Sequence, residues 1–379
     1  MNHRSAVGLF IGTSLALLLA IPTVNLSDRK IRQQVWALAM ERDAVKLKNI
    51  LFNRDWLDSL QSRAALPFGI STNPAAVIVG TDGWLFLGDQ ENRNTSAQRY
   101  GESDRDARIA LEMGHNLLAW EAWLHAQGVR GVAWVIGPDK HRIYNEHLPR
   151  WIDLGRPARI RGFVDGPAKH LIADPTDPLK ALSTGDGPPT YYPSDTHWNM
   201  WGAAIGMEAL RSTLRGQGLD LNWALATPPA IASVDDRAGG DLARFLHMED
   251  ATRDPEPHPI SLAPMPPQSD IREWGTDRFL QADALGQLQY PGKIVRVITP
   301  DAANDLKVLW VRDSFGIAQS PLMAVNFKET VQVHWQAAFT EDAQLLIKLV
   351  QEQRPDLVVL TVVERVMPYW LFSTPPPKD

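Results

Sequence analysis

The sequence contains no cysteine. That excludes disulfide staples, thiolate nucleophiles and zinc–thiolate centres together. It does not fix the compartment, because a cysteine-free chain suits an oxidising space and a reducing one alike. Positive charge is not in excess either. The formal net charge is −6, so a nucleic-acid role has no global electrostatic support. There is no Gly-rich phosphate loop, no dinucleotide fingerprint and no internal repeat.

What is present is an ordinary globular composition over 379 residues, enough for one large or two ordinary domains. Fourteen tryptophans is a high count. Tryptophan suits sugar stacking, although its usual fate is the core. One long apolar run stands out, the nineteen residues Ala6 to Val24. It is long enough to span a bilayer as a helix. No convincing Ala-x-Ala follows Leu19, so residues 1–27 are expected to be an uncleaved signal anchor. Arg29, Lys30 and Arg32 follow the run and, counted strictly, oppose export of the body. The five-residue tail leading straight into the run is the usual layout of an export signal, and export is the expectation.

Gln33 to Leu66 shows apolar residues at three- and four-residue steps, which predicts a helical lead-in or stalk over 28–74. The catalytic body is expected over 75–370. It opens with a hairpin in which Thr81-Asp82-Gly83 turns between two apolar runs. Ser103 with Asp106 starts a long amphipathic helix, Gly128 stops it, and Val129 to Gly137 follows as a strand. A helix is predicted over Trp201–Gln217. Residues 219–291 are dense in proline and poor in period. They read as an irregular insertion covering part of the site, not as an independent domain. Strands are expected near Ile294–Ile298, Lys307–Val311, Glu329–Trp335 and Asp356–Val363. A helix capped by Thr340 is expected to run to about Gln353, and 371–379 is a tail. Alternating β and α segments predict an α/β fold, a doubly wound parallel sheet with helices on both faces.

Two stretches carry the chemistry. Tyr191-Tyr192-Pro193-Ser194-Asp195-Thr196-His197-Trp198-Asn199 places a carboxylate two residues before a histidine. In an extended or loop segment that spacing sends both side chains the same way. Val308 to Gly316 is an apolar strand-like run ending in Asp313-Ser314-Phe315-Gly316. A serine hydroxyl needs a base to take its proton, and a buried carboxylate fixes the tautomer of that base. Ser314 is therefore the candidate nucleophile, His197 the base and Asp195 its orienting acid. The Ser314 N–H, at a helix start, is a candidate oxyanion donor. The blander readings are a chance Asp-x-His, a helix-capping serine and a capping Asp313. A metal site on Asp195 and His197 lacks a visible third and fourth ligand, and no metal or cofactor is expected. Candidate substrate contacts are Lys140, Arg142, Tyr144, Trp198, Arg312, His334 and Trp335. The stretch holding Lys140, Arg142, Arg150, Arg156, Arg159 and Arg161 is the most basic in the chain. It reads either as a solvated surface or as a contact for an anionic glycan.

The set Gly80-Thr81-Asp82-Gly83-Trp84-Leu85-Phe86-Leu87, Pro138-Asp139-Lys140-His141-Arg142-Ile143-Tyr144, Asp195-Thr196-His197-Trp198-Asn199, Gly240-Asp241-Leu242 and Asp313-Ser314-Phe315 resembles the AlgJ/AlgX-type alginate O-acetyltransferases. These are circularly permuted SGNH-hydrolase-like proteins of the bacterial periplasm. The resemblance spans about Ala75 to Val363 and is nearest the membrane-anchored AlgJ type. It departs at Arg312, where SGNH proteins usually have glycine. It implies Asp195, His197 and Ser314 as the triad and transfer of acetyl to hydroxyls of an exopolysaccharide. It also implies a polytopic acyltransferase in the inner membrane that supplies the acetyl group. The alternatives are a carbohydrate acetylesterase with the same triad, or a non-catalytic glycan-binding part of a polysaccharide secretion complex.

Overall fold

In the computed structural model, residues 3–281, 293–366 and 374–377 are described. The strands are β1 Val77–Val79, β2 Leu85–Leu87, β3 Gly131–Gly137, β4 Ile172–Ala173, β5 Ile231–Ala238, β6 Arg253–Pro259, β7 Asp270–Glu273, β8 Val295–Ile298, β9 Asn304–Arg312, β10 Phe327–His334 and β11 Leu357–Val363. Strands β3 and β11 contain no charged residue and are buried at every position. Such runs suit a sheet covered on both faces. Their side chains divide with a period of two. Val132, Trp134, Ile136, Val358, Leu360 and Val362 enter one core. Ala133, Val135, Leu357, Val359 and Val363 enter the other.

The sheet order is β4-β3-β11-β9-β10-β8-β7. The first five strands are mutually parallel, whereas β8 runs antiparallel to β10 and β7 antiparallel to β8. The fold is thus mixed α/β with a mostly parallel sheet. Helices Asp104–Ala126 and Gln344–Gln353 supply residues to the first core, and Met200–Gly216 and Gly316–Asn326 to the second. Each fully buried Leu, Val or Phe contributes about 1.5–3 kcal/mol over its exposed state.

Local chemistry explains the element ends. Ser103 Oγ accepts from the Asp106 N–H at 3.2 Å, and Asp106 accepts from the Ser103 N–H at 3.1 Å, completing the capping box of Asp104–Ala126. Asp82 and Gly83, at φ of 53° and 81°, form the primed turn joining β1 to β2.

Two expectations for the sheet-bearing part of the chain are corrected. The helix expected from Thr340 begins at Gln344 instead. Thr340 Oγ1 donates back to Ala337 O, and Glu341, Asp342 and Ala343 are left-handed, so the chain turns before it coils. Residues 219–291 are not irregular throughout. β5 and β6 form a two-stranded antiparallel ribbon and β7 joins the sheet. Pro255, Pro257 and Pro259 occupy alternate positions of β6. Their missing N–H groups therefore all fall on the edge away from β5, where the ladder needs none. Residues 282–291 of that stretch lie outside the described residues.

By contact the chain divides into two units. One runs to Thr72 and includes Leu246–Met248, and the other holds the remainder. In the first, His3–Ser27 is a helix whose window Phe10–Ser27 is long and apolar enough to cross a membrane. The helix expected from Gln33 to Leu66 is three helices, Arg29–Glu41, Ala44–Leu51 and Asp55–Ala65. Arg42 is left-handed, and Asp43 starts a new cap by accepting from Lys46 N at 3.0 Å. Asn25 Nδ2 donates to Ile50 O, Leu51 O and Asn53 O at 2.9–3.2 Å, satisfying carbonyls at the end of the second of these helices.

Candidate active site

The Asp-x-His loop is pinned at both ends. Asn199 caps the helix Met200–Gly216, accepting from Trp201 N and Gly202 N at 3.1 Å. Tyr191 bridges to Trp198. Inside the loop, Lys140 Nζ donates to Tyr192 O and Pro193 O at 3.1 Å and to Asp195 O at 2.6 Å. Lys140 follows the end of β3, so a buried ammonium hangs the loop from the sheet. Burial pushes its pKa down to about 8, against the pull of Asp195 and Asp241.

The nucleophile turn is clamped by Asp313. Its backbone N–H donates to Thr361 O at 3.0 Å, and its carboxylate accepts from Phe315 N and Val363 N at 2.8 Å. This ties the end of β9 to its neighbour β11. Burial raises the Asp313 pKa, and the two N–H donors oppose the shift. Ser314 stands on this turn, immediately before Phe315 and the helix Gly316–Asn326.

The two stretches meet. His197 Nδ1 lies 2.6 Å from Asp195 Oδ1, and His197 Nε2 lies 2.8 Å from Ser314 Oγ. Trp198 Nε1 donates to Phe315 O at 2.8 Å, fastening the base loop to the nucleophile turn. The short Asp195 contact assigns the proton to Nδ1 and leaves Nε2 to accept from the serine. Burial alone raises the Asp195 pKa, but His197 beside it outweighs that and holds the carboxyl well below its usual range. Burial opposes protonation of His197, whereas Asp195 and then Asp241 raise its pKa.

A third segment completes the site, and the sequence reading assigned it no side-chain role. Asp241 Oδ1 accepts from Thr196 N at 2.7 Å, and Oδ2 accepts from Thr196 Oγ1 and lies 3.6 Å from His197 Nδ1. Burial and repulsion from Asp195 raise the Asp241 pKa. Gly240 packs on Asp195 so closely that a Cβ would sit 2.2 Å from the Asp195 side chain. The ribbon contributes as well. Buried Asp254 accepts from Ser194 N and Oγ at 3.0 and 2.6 Å. Arg237 lies 4.2 Å over the Tyr192 ring and 3.8 Å from Asp195 Oδ2. Asp195, His197 and Asp241 lie close enough together to share a cation. In the structure their ligand atoms are engaged with one another, with Thr196 and with Ser314.

His197 and Ser314 face a cleft of about 590 Å³ that is also lined by Trp198, Arg237, Arg244 and Glu256. Among the described residues no acceptor takes the Ser314 N–H, so it remains available at the helix start. Of the seven candidate substrate contacts only Trp198 lines this cleft. The other six lie elsewhere. Lys140 is buried beneath the loop. Arg142 donates to Gln98 Oε1 and Gly155 O. Tyr144 is buried against Thr190. Arg312 is buried over the Trp310 ring, donates to Gln332 Oε1 at 3.0 Å, and is pushed down to about 9 by burial. His334 caps the short helix Trp335–Phe339, its pKa lowered to about 4 by burial and Arg312, and Trp335 packs in the core.

Asp195, His197 and Ser314 thus form one chain of contacts at the carboxyl edge of a parallel sheet, an arrangement able to move a proton off a hydroxyl. Residues 77–284 match the model of the SGNH hydrolase-like domain of the acetyltransferase AlgX. The chain belongs to this family. The match includes Asp195, His197 and Asp241, and Ser314 lies beyond it. Among solved structures, Bacillus cereus PatB1 with a sulfonyl adduct shares 15% identity, covering 79% of this chain and 100% of its own, with a TM-score of 0.55. A DHHW family protein from Eubacterium siraeum also shares 15% identity, over 79% and 93% of the two chains, with a TM-score of 0.52. The O-acetyltransferase domain of Pseudomonas putida AlgJ is 17% identical over 78% and 92%, with a TM-score of 0.46. The likeness to PatB1 and to the DHHW protein is one of fold. No curated protein matches the chain at a significant level.

Proposed function

We propose that this AlgX-family protein transfers acetyl groups to hydroxyls of an exopolysaccharide through an acetyl-Ser314 intermediate. The observation that carries this reading is the Asp195–His197–Ser314 relay, with contacts of 2.6 and 2.8 Å, opening on a cleft in a chain of an acetyltransferase family. Ser314 Oγ attacks the donor carbonyl while its proton passes to His197 Nε2. The Ser314 N–H faces the oxyanion that forms. His197 returns the proton to the leaving group as the donor bond breaks. A sugar hydroxyl then gives its proton to His197, attacks the acetyl carbonyl and frees Ser314, which regains a proton. Asp195 stabilises the imidazolium in both halves. The N-terminal helix anchors the body to the periplasmic side of the inner membrane, where a polytopic acyltransferase supplies acetyl. The length and apolarity of Phe10–Ser27 support that placement.

The test is intact-mass spectrometry of the full chain after exposure to an activated acetyl ester. One acetyl adduct is expected on wild type and none on Ser314→Ala. His197→Ala should slow acylation by about 10⁴-fold. Rapid free-acetate release without a sugar acceptor would replace transferase by esterase. Neither adduct nor acetate would sink the covalent reading.

A further inference from the structure

Strand β9 is apolar from Val308 to Val311 and then places a guanidinium in the core, directly before the nucleophile turn. Arg312 is 1% exposed, and burying a cation costs free energy unless its donors are met. SGNH proteins usually have glycine here, so neither the strand nor the turn demands a long side chain at this position. The side chain is nevertheless held from several directions. Its Nε donates to Gln332 Oε1 at 3.0 Å, on the neighbouring strand β10. Gln332 is fixed in turn, its Nε2 donating to Thr330 Oγ1 at 3.3 Å. The guanidinium stands 5.3 Å from the centroid of the Trp310 ring. Room for the stem comes from Gly316, where a Cβ would fall 2.2 Å from Arg312 Cδ.

So held, Arg312 Nη1 donates to Asp313 O at 3.1 Å. Gly316 N donates to the same oxygen at 3.2 Å, so this carbonyl accepts twice, once from a cation. The amide of that peptide group is the Ser314 N–H, the candidate oxyanion donor. Peptide resonance couples the two ends: electron density drawn onto the carbonyl oxygen leaves the N–H more positive. Hydrogen bonds linked in this way strengthen one another by about 10–30% each, and a charged donor is roughly twice as strong as a neutral one. The two bonds also fix the peptide plane. The N–H is thereby aimed before charge develops, and nothing has to reorganise when it does. We propose that Arg312 is a positioning residue for the oxyanion site. From the core side of the turn it holds and polarises the Asp313–Ser314 peptide, so that the Ser314 N–H meets the oxyanion as a stronger donor. The proposal rests on the acyl-transfer reading of Ser314 and deepens it by naming the side chain behind its oxyanion donor.

Two measurements on full-length protein in detergent test it, and the first does not depend on turnover. The chain has two Asp-Ser peptides, Asp58-Ser59 and Asp313-Ser314. Aspartate labelled with carbon-13 at the carbonyl and serine labelled with nitrogen-15 therefore select two amide signals in NMR, with Ser59 as the internal reference. Arg312→Met should move the Ser314 amide proton upfield and leave Ser59 in place. Arg312→Lys, which keeps a cation, should move it less. An unmoved Ser314 signal in Arg312→Met would overturn the proposal. The second measurement compares Ser314 acylation by an aryl acetate and by the thionoacetate of the same phenol, in which sulfur replaces the carbonyl oxygen. Sulfur is the larger and weaker acceptor, so help from an oxyanion donor is spent mostly on the oxygen ester. Arg312→Met should slow the saturating rate with the acetate about tenfold, less than the 10²–10³-fold lost when a donor is removed outright. Half-saturation should stay unchanged, and the thionoacetate rate should fall far less. Arg312→Lys should restore part of the rate. Gln332→Met, which loosens the guanidinium without touching the turn, should repeat the pattern more weakly. These last two variants carry both measurements if Arg312→Met does not fold. Equal losses on the two esters would make Arg312 a support of the fold alone and overturn the proposal. A Ser314 signal that moves as expected, in a protein whose wild type gains no acetyl group, would sustain the polarised N–H and reject the catalytic reading alone.

Discussion

Asp241 alters the electrostatics under which His197 works. In the proposed mechanism His197 is the general base and must be neutral to accept a proton, so activity should rise as pH passes the His197 pKa. That pKa is raised by Asp195 and, from 3.6 Å, by Asp241. The acid limb of kcat/KM should therefore lie above the ordinary imidazole value. Asp241→Asn keeps an oxygen for the Thr196 N–H but removes the charge. The limb should move to lower pH, read directly in the pH–rate profile, and an unmoved limb would make Asp241 a purely structural support. At this scale the sequence was informative where chemistry is local. Two-residue spacing aims Asp195 and His197 together, and a strand ending in Asp-Ser places Ser314 on a turn. Asp241 is forty-six residues from Asp195, and no spacing rule connects them. Lys140 and Arg312 each read as a cation at the end of an apolar strand. Lys140 is satisfied by carbonyls of the distant Asp-x-His loop, and Arg312 by the distant Gln332 together with its neighbours Trp310 and Asp313.

The β5–β6 ribbon is the element that composition concealed. Dense proline signals broken structure unless the prolines fall in alternate register on a free edge, and pairing is a property of two segments rather than one. The long helix Asp104–Ala126 was legible because its cap, period and stop are all local. The ribbon braces the Asp-x-His loop through Asp254. Asp254→Ala leaves Ser194 N and Oγ buried without that acceptor. It should cost about 1–3 kcal/mol in denaturant unfolding. It should also lower kcat more than it changes KM, because Asp195 adjoins the loosened residue. Full kcat in a destabilised variant would show that the ribbon supports the fold and not the relay.

Over the whole molecule, stability should follow pH through buried carboxyls of opposite habit. Asp139 and Asp195 have depressed pKa values, Asp139 because His141 beside it outweighs the opposing effect of burial. They stabilise the fold above the ordinary carboxyl range and lose that contribution in acid. Glu364, at the end of β11, goes the other way, raised to about 7 by burial and by Asp139. Folded protein keeps that proton where unfolded chain has lost it. Its contribution is full below its ordinary pKa of 4.5 and is lost as pH rises toward 7. Glu364→Gln should raise Tm at pH 8 but not at pH 4.5, and equal shifts at both would reject this assignment. The sheet order has a consequence of its own. The exposed stretch after Ser261 divides the second unit so that Asp195 and His197 lie before it and Ser314 after it. The two parts remain joined where β3 runs along β11 over seven residues. On the proposed mechanism, severing the chain in the stretch after Ser261 leaves the base in one half and the nucleophile in the other, and neither half alone should acquire an acetyl group. Sheet pairing, not chain continuity, is what brings His197 and Ser314 to one place.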